Sequence, residues 1–192
     1  VSPIFDPSTY GPAVGELLAH EPLCELGPGR PREEFRSQLQ KLDYDTAFPG
    51  RDIVDHSMAD CCISGLWLLF DFLDTSHSIS QEINTPSGSY WHGIMHRREP
   101  DYSNSKDWFR RVGRHPVFVP LAAAAADLAA ESDTDGDEVQ SLSSGGDWDA
   151  FHFVDLCQQA ARGGGELELL CRRIAQAEWR LLFADCYHHA IT

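Results

Sequence analysis

The sequence predicts an all-α fold, an irregular bundle of about six or seven helices forming one domain over residues 1–192. Three observations carry this expectation. Apolar residues recur at spacings of three and four over residues 53–73 (Ile53, Ala59, Cys62, Ile63, Leu66, Leu69, Phe70, Leu73) and again over residues 167–184, which is the helical period. No run of useful length alternates apolar and polar side chains as a half-buried strand does. The length of 192 residues suits one domain with a real core, and no repeat of solenoid period recurs.

The first 50 residues hold seven of the 11 prolines, which restricts them to short helices near 13–21 and 32–42. Residues 52–73 form the expected central helix. Gly65 inside it carries a helix-propensity cost of up to ~1 kcal/mol relative to Ala and marks close approach of another helix. The polar stretch 74–81 reads as a connection. Thr85-Pro86 reads as an N-cap followed by proline at the first helical position, opening a helix that runs to about Arg98 and is stopped by Pro100. A further helix capped by Ser103 or Asn104 runs through Val112 to Gly113, and an alanine-rich helix covers 117–131. Residues 132–146, acidic and rich in serine and glycine, read as a mobile loop. Asp147 then caps a helix to about Arg162, three glycines make a turn, and residues 166–189 form a last helix that pairs with it as an αα-hairpin.

Composition excludes more than it assigns. With 30 Asp+Glu against 15 Lys+Arg the formal charge is −15, which disfavours nucleic acid as a partner. The longest uncharged apolar stretches, 61–70 and 116–126, fall well short of the ~20 residues a membrane-spanning helix needs, so no membrane partner is expected. The first fifteen residues lack the basic patch, apolar run and cleavage site of a secretory signal, and the cytoplasm is the expected location. Six cysteines without a C-x-x-C pair, three of them inside apolar periodic segments, read as reduced and buried thiols. The oligomeric state is not legible.

One stretch, roughly Thr85 to Phe118, is dense in chemistry, and the functional region is expected in its Tyr90–His115 segment. His92, His96 and Glu99 stand at i, i+4 and i+7, within an arc of ~60° around a helix axis. Imidazole and carboxylate at that spacing are the ligand set of a divalent metal such as zinc, nickel, iron or manganese. Gly93 occupies the place of the glutamate in an H-E-x-x-H motif, so a metalloprotease reading fails. A further ligand would come from His56 with Asp55, or from His188 and His189. The competing view makes the two histidines hydrogen-bonded packing residues.

Arg97, Arg98, Lys106, Arg110, Arg111 and Arg114 place six of the 15 basic residues within 18 positions of an acidic chain. Forked guanidinium donors suit carboxylate or phosphate, so Arg97, Arg98, Arg110, Arg111 and Arg114 with Trp91 and Trp108 form a candidate site for an anionic small molecule. The alternative is a non-enzymatic interaction module that presents this aromatic and arginine-rich segment as a partner surface. Other constellations are poor. The DTDGDE run at 133–138 fails as an EF-hand because Glu138 and Ser144 fall where glycine and glutamate are required. There is no G-x-S-x-G elbow, P-loop or dinucleotide fingerprint, and the spacing of His56 from Cys61 and Cys62 is not a helical neighbour relation. No motif assigns a reaction.

The stretch TPSGSYWHGIMHRREPDYSNSKDWFRRVGRHPVF resembles a group of uncharacterised, mainly bacterial proteins that carry a WHGIMHRRE-like run. The resemblance covers about 34 residues, implies no established activity and supplies no residue roles.

Overall fold

The computed structural model describes residues 5–132 and 148–192. Among them the chain is helical with no strand. A 3-10 turn, Pro7–Tyr10, precedes ten α-helices: α1 Gly11–Leu18, α2 Glu33–Leu39, α3 Tyr44–Ala47, α4 His56–Leu69, α5 Leu73–Ser80, α6 Pro86–Arg98, α7 Tyr102–Val112, α8 Phe118–Ala130, α9 Ala150–Gly163 and α10 Gly165–Ile191. The elements beyond the expected six or seven are short. The acidic stretch expected as a loop over 132–146 lies almost wholly outside the described residues. No helix among those described is long and apolar enough to cross a membrane, and all six cysteines are free thiols.

α6 takes the central place expected of α4: from Ser87 to Arg98 every residue is buried. A helix buried all round needs small residues where its neighbours press closest. Gly93 supplies one such point, because a Cβ there would lie 3.1 Å from the Phe109 ring of α7. Gly65 of α4 supplies the other, with Trp91 of α6 occupying the space, 2.7 Å from where its Cβ would stand. That is the close helix approach the sequence suggests for Gly65. α4, α5 and α7 pack around α6, while α10 spans α4, α8 and α9 and donates Trp179 Nε1 to the Gly65 carbonyl at 2.9 Å.

The turn between α4 and α5 decides where the chemistry sits. The Phe72 amide donates to Trp67 O at 3.0 Å and the Asp71 amide to Leu68 O at 3.1 Å, with Asp71 in the left-handed region at φ 65°. This is a helix-ending Schellman arrangement with aspartate in the position usually held by glycine. The chain turns back at once into α5, where the sequence suggests only a polar connection. After Leu73 the buried side of α5 is built from hydroxyls: Ser76 and Ser80 are fully buried, and Ser64 Oγ of α4 meets both the Ser76 carbonyl and its Oγ at 3.0 Å. Hydroxyl packing leaves no apolar periodicity to read.

Two caps also differ. α7 is capped by Asp101, which accepts from Asn104 N at 3.3 Å, and α9 by Asp149, which accepts from His152 N at 2.9 Å. In each case a carboxylate two or so positions from the expected cap reaches the same free amides.

Candidate metal centre

α6 starts where Thr85 Oγ1 accepts from Gly88 N at 3.0 Å and Pro86 fills the first turn. The helix then carries His92 and His96 one turn apart toward α5 and α7. Their Nε2 atoms face each other at 3.0 Å. A third imidazole, His77 of α5, closes the group, with its ring 4.6 Å from that of His92 and 5.4 Å from that of His96, centroid to centroid. One nitrogen from each of His77, His92 and His96 lies within 4.8 Å of the others, and no other such group of potential ligands occurs among the described residues.

The outer nitrogens of two of these rings are engaged. His92 Nδ1 lies 2.8 Å from Ser80 Oγ. That hydroxyl also approaches the His77 carbonyl at 3.4 Å, so directing its proton there leaves an oxygen lone pair to accept from His92 Nδ1–H. His96 Nδ1 lies 3.2 Å from Glu99 Oε2; a carboxylate can only accept, so this nitrogen carries the proton. With His92 in that tautomer both rings turn lone pairs toward the space between them; with its proton on Nε2 instead, His92 donates to His96 Nε2. Asn104 of α7 contacts His96 Nε2 at 3.1 Å. The Trp108 ring lies 4.0 Å from that of His92, and the Arg111 guanidinium sits over the same indole at 4.1 Å.

Burial holds both rings neutral. It pushes the His92 pKa down to about 3, reinforced by the charges of His96, His77 and Arg111. His96 is lowered by burial too, against the opposing pull of Glu99. Neutral imidazole is the form a metal requires.

The site predicted from sequence is therefore rearranged. His92 and His96 are brought together as their spacing implies, but Glu99 is not a member of the cluster; it supports His96 from the outer side of the ring. Its expected place is taken by His77, which sequence reasoning missed because α5 went unseen. The His77–Ser80 spacing in SHSIS, with i and i+3 on one helix face, was the available signal. Neither proposed source of an extra ligand takes part: His56 stacks against Tyr44, while His188 and His189 contact Thr192 and Asp185 near the C-terminal end of α10.

The arginines separate in the same way. Arg97 forms a fully buried ion pair with Glu178 of α10, and Tyr90 Oη donates to the same carboxylate at 3.1 Å. Arg98 donates to Asp71 at 2.5 Å and to the Gly27 carbonyl at 2.7 Å. Arg110 pairs with Asp107 on the surface of α7, and Arg114 is exposed. The compensated charge of Arg97 and Arg98 is unavailable to an anion beside the histidines. Trp91 is fully buried in the core against Trp179, far from the role of a ligand wall or partner anchor. Of the predicted anion site, Trp108 and Arg111 alone are layered onto the histidine cluster.

No family model, no curated protein and no solved structure matches the chain.

Proposed function

We propose that this protein binds one divalent transition-metal ion through His77, His92 and His96, with a coordination position left for water or an added ligand. The observation that carries this reading is the pair of His92 and His96 Nε2 atoms facing at 3.0 Å while their Nδ1 atoms are committed to Ser80 and Glu99. With both Nδ1 atoms protonated, two Nε2 lone pairs meet at hydrogen-bond distance, an arrangement that a cation bound between them stabilises. A metal-binding histidine characteristically donates its other N–H to a carboxylate, carbonyl or comparable acceptor, which fixes tautomer and ring orientation.

The dimensions are suitable. A tetrahedral ion with metal–nitrogen bonds of about 2.0–2.1 Å separates its ligands by roughly 3.3 Å, close to the His92–His96 spacing. Rotation of the half-buried His77 ring brings in the third nitrogen. Three imidazoles select zinc, nickel or iron over magnesium or calcium. Structural zinc sites are closed by four protein ligands, whereas three ligands plus an open position is the pattern of sites that bind or activate something else. A water in that position would be acidified by the ion and made a better nucleophile.

Titration of metal-free protein with cobalt(II), followed by its visible absorption and checked by elemental analysis after zinc loading, tests the proposal. One equivalent should bind. His77→Ala, His92→Ala and His96→Ala should each weaken binding by at least about tenfold, since each removes a direct ligand. Folded variants that bind cobalt as the parent does would overturn it.

A further inference from the structure

We infer that the metal centre takes an anionic ligand, one end on the ion and the other on the Arg111 guanidinium. This rests on the metal-binding reading. Most of the basic side chains around the histidines are already matched. Arg97, Arg98 and Arg110 have carboxylate partners, and Lys106 is paired with Asp155. Arg111 is exposed, and the contact the structure gives it is with the Trp108 indole face, 4.1 Å from its central carbon. The same indole packs against His92 with ring centroids 4.0 Å apart. Stacking holds a guanidinium by its face and leaves its N–H edge free to bind, which is how an arginine remains both positioned and available.

The surroundings of the cluster are polarised. Glu99 Oε2 lies 3.2 Å from His96 Nδ1 on one side, and Arg111 sits over the Trp108 indole that packs against His92 on the other. A negatively charged ligand is repelled on the first side and drawn to the second. A chain of net charge −15 opposes anions over most of its surface, so a metal ion beside an arginine with no carboxylate partner among the described residues is a local exception that focuses them. Planar, forked recognition favours phosphate or carboxylate over a monatomic anion. The ligand class is therefore a small phosphorylated or carboxylated compound with a second atom able to reach the ion.

Two anions separate this from simple ligation by the metal. In cobalt-loaded protein, azide needs only the open coordination position, whereas inorganic phosphate can also use Arg111. Arg111→Ala should still bind one equivalent of cobalt, with the azide dissociation constant of the loaded protein within about twofold of the parent's. It should weaken phosphate by about tenfold or more, the size of a charge-assisted hydrogen bond. Arg114→Ala, an exposed control on the same end of the molecule, should leave phosphate binding as it was. Equal phosphate affinity in parent and Arg111→Ala would overturn the inference, and so would an equal loss in Arg114→Ala, which would mark a diffuse surface field. Absence of cobalt binding in the parent protein would overturn the metal reading itself and this inference with it.

Discussion

Two sides of α6 carry ionisable groups, and they are completed in opposite ways. Tyr90 and Arg97, seven residues apart, share one side; His92 and His96 project to nearly the opposite one. On the first side the charge is closed within the protein: Glu178 takes the guanidinium and the tyrosine hydroxyl together, with all three side chains buried. On the second, the outer nitrogens are satisfied and the inner ones face each other, with Asn104 Nδ2 also 3.1 Å from His96 Nε2. A helix with both kinds of face teaches that burial of polar groups is not by itself a functional signal. What distinguishes the histidine side is that its hydrogen bonds orient the rings while leaving their metal-binding atoms converged.

Breaking the closed side should have the largest effect on folding. Glu178→Gln retains much of the shape but leaves the Arg97 charge buried without a counter-ion, a loss of about 3–5 kcal/mol for a pair of this kind. Denaturant unfolding measures it. The double variant Arg97→Met with Glu178→Leu should recover most of that stability, because removing both charges also removes their desolvation cost. If the single variant lost less than the double, the pair would not be acting as a closed unit. Cobalt affinity in the folded fraction should hardly change, since this side of α6 faces away from the cluster.

The histidine side is sharpened by a smaller change. Glu99→Gln keeps a hydrogen-bond acceptor near His96 Nδ1 and removes the negative charge that fixes the proton there. Metal affinity should fall by about 10–100-fold, the usual consequence of losing a partner to a metal-binding histidine, while stability without metal stays nearly constant at a residue this exposed. Were Glu99 a direct ligand, as its i+7 position suggests, the stoichiometry or cobalt spectrum would change as well as the affinity. An unaltered spectrum with weaker binding assigns it the outer role.

How much of this was legible in the sequence follows from range and from chemistry. The bounds of α6 are written locally, in Thr85-Pro86 at one end and Pro100 beyond the other, and the His92–His96 pairing follows from a spacing of one turn. The partners of the arginines are not local: Glu178 stands 81 residues from Arg97 and Asp71 stands 27 from Arg98. No pattern within a helix points to either. His77 was hidden for a different reason. Its helix begins after a left-handed aspartate where glycine is the usual sign, and beyond Leu73 its inner side is made of Ser76 and Ser80, so neither the turn signal nor the apolar period announced it. The fold class survived because it rests on long amphipathic segments; the third ligand did not, because it lies on a short helix packed through hydroxyls.

Acid provides the mildest separation of the two sides. Burial lowers the pKa of His92 to about 3, and it also lowers those of His96 and His115, the last of which is held by Ser87 Oγ at 3.1 Å. In the unfolded chain each of these histidines takes a proton near its ordinary value of about 6.5. Between that value and the lower native one, the unfolded state binds more protons than the native state, so stability falls as the pH falls. The slope approaches about 1.4 kcal/mol per pH unit for each histidine while its native form stays neutral. For His92 the window extends from about 6.5 toward 3. Metal-free protein unfolded by denaturant at about pH 7 and about pH 5.5 should therefore be measurably less stable at the lower value, and His115→Gln, which removes one of the three groups, should reduce the difference. Equal stability at the two pH values would mean that the rings take up protons in the native state as readily as in the unfolded chain, which is incompatible with burial holding them neutral for a metal.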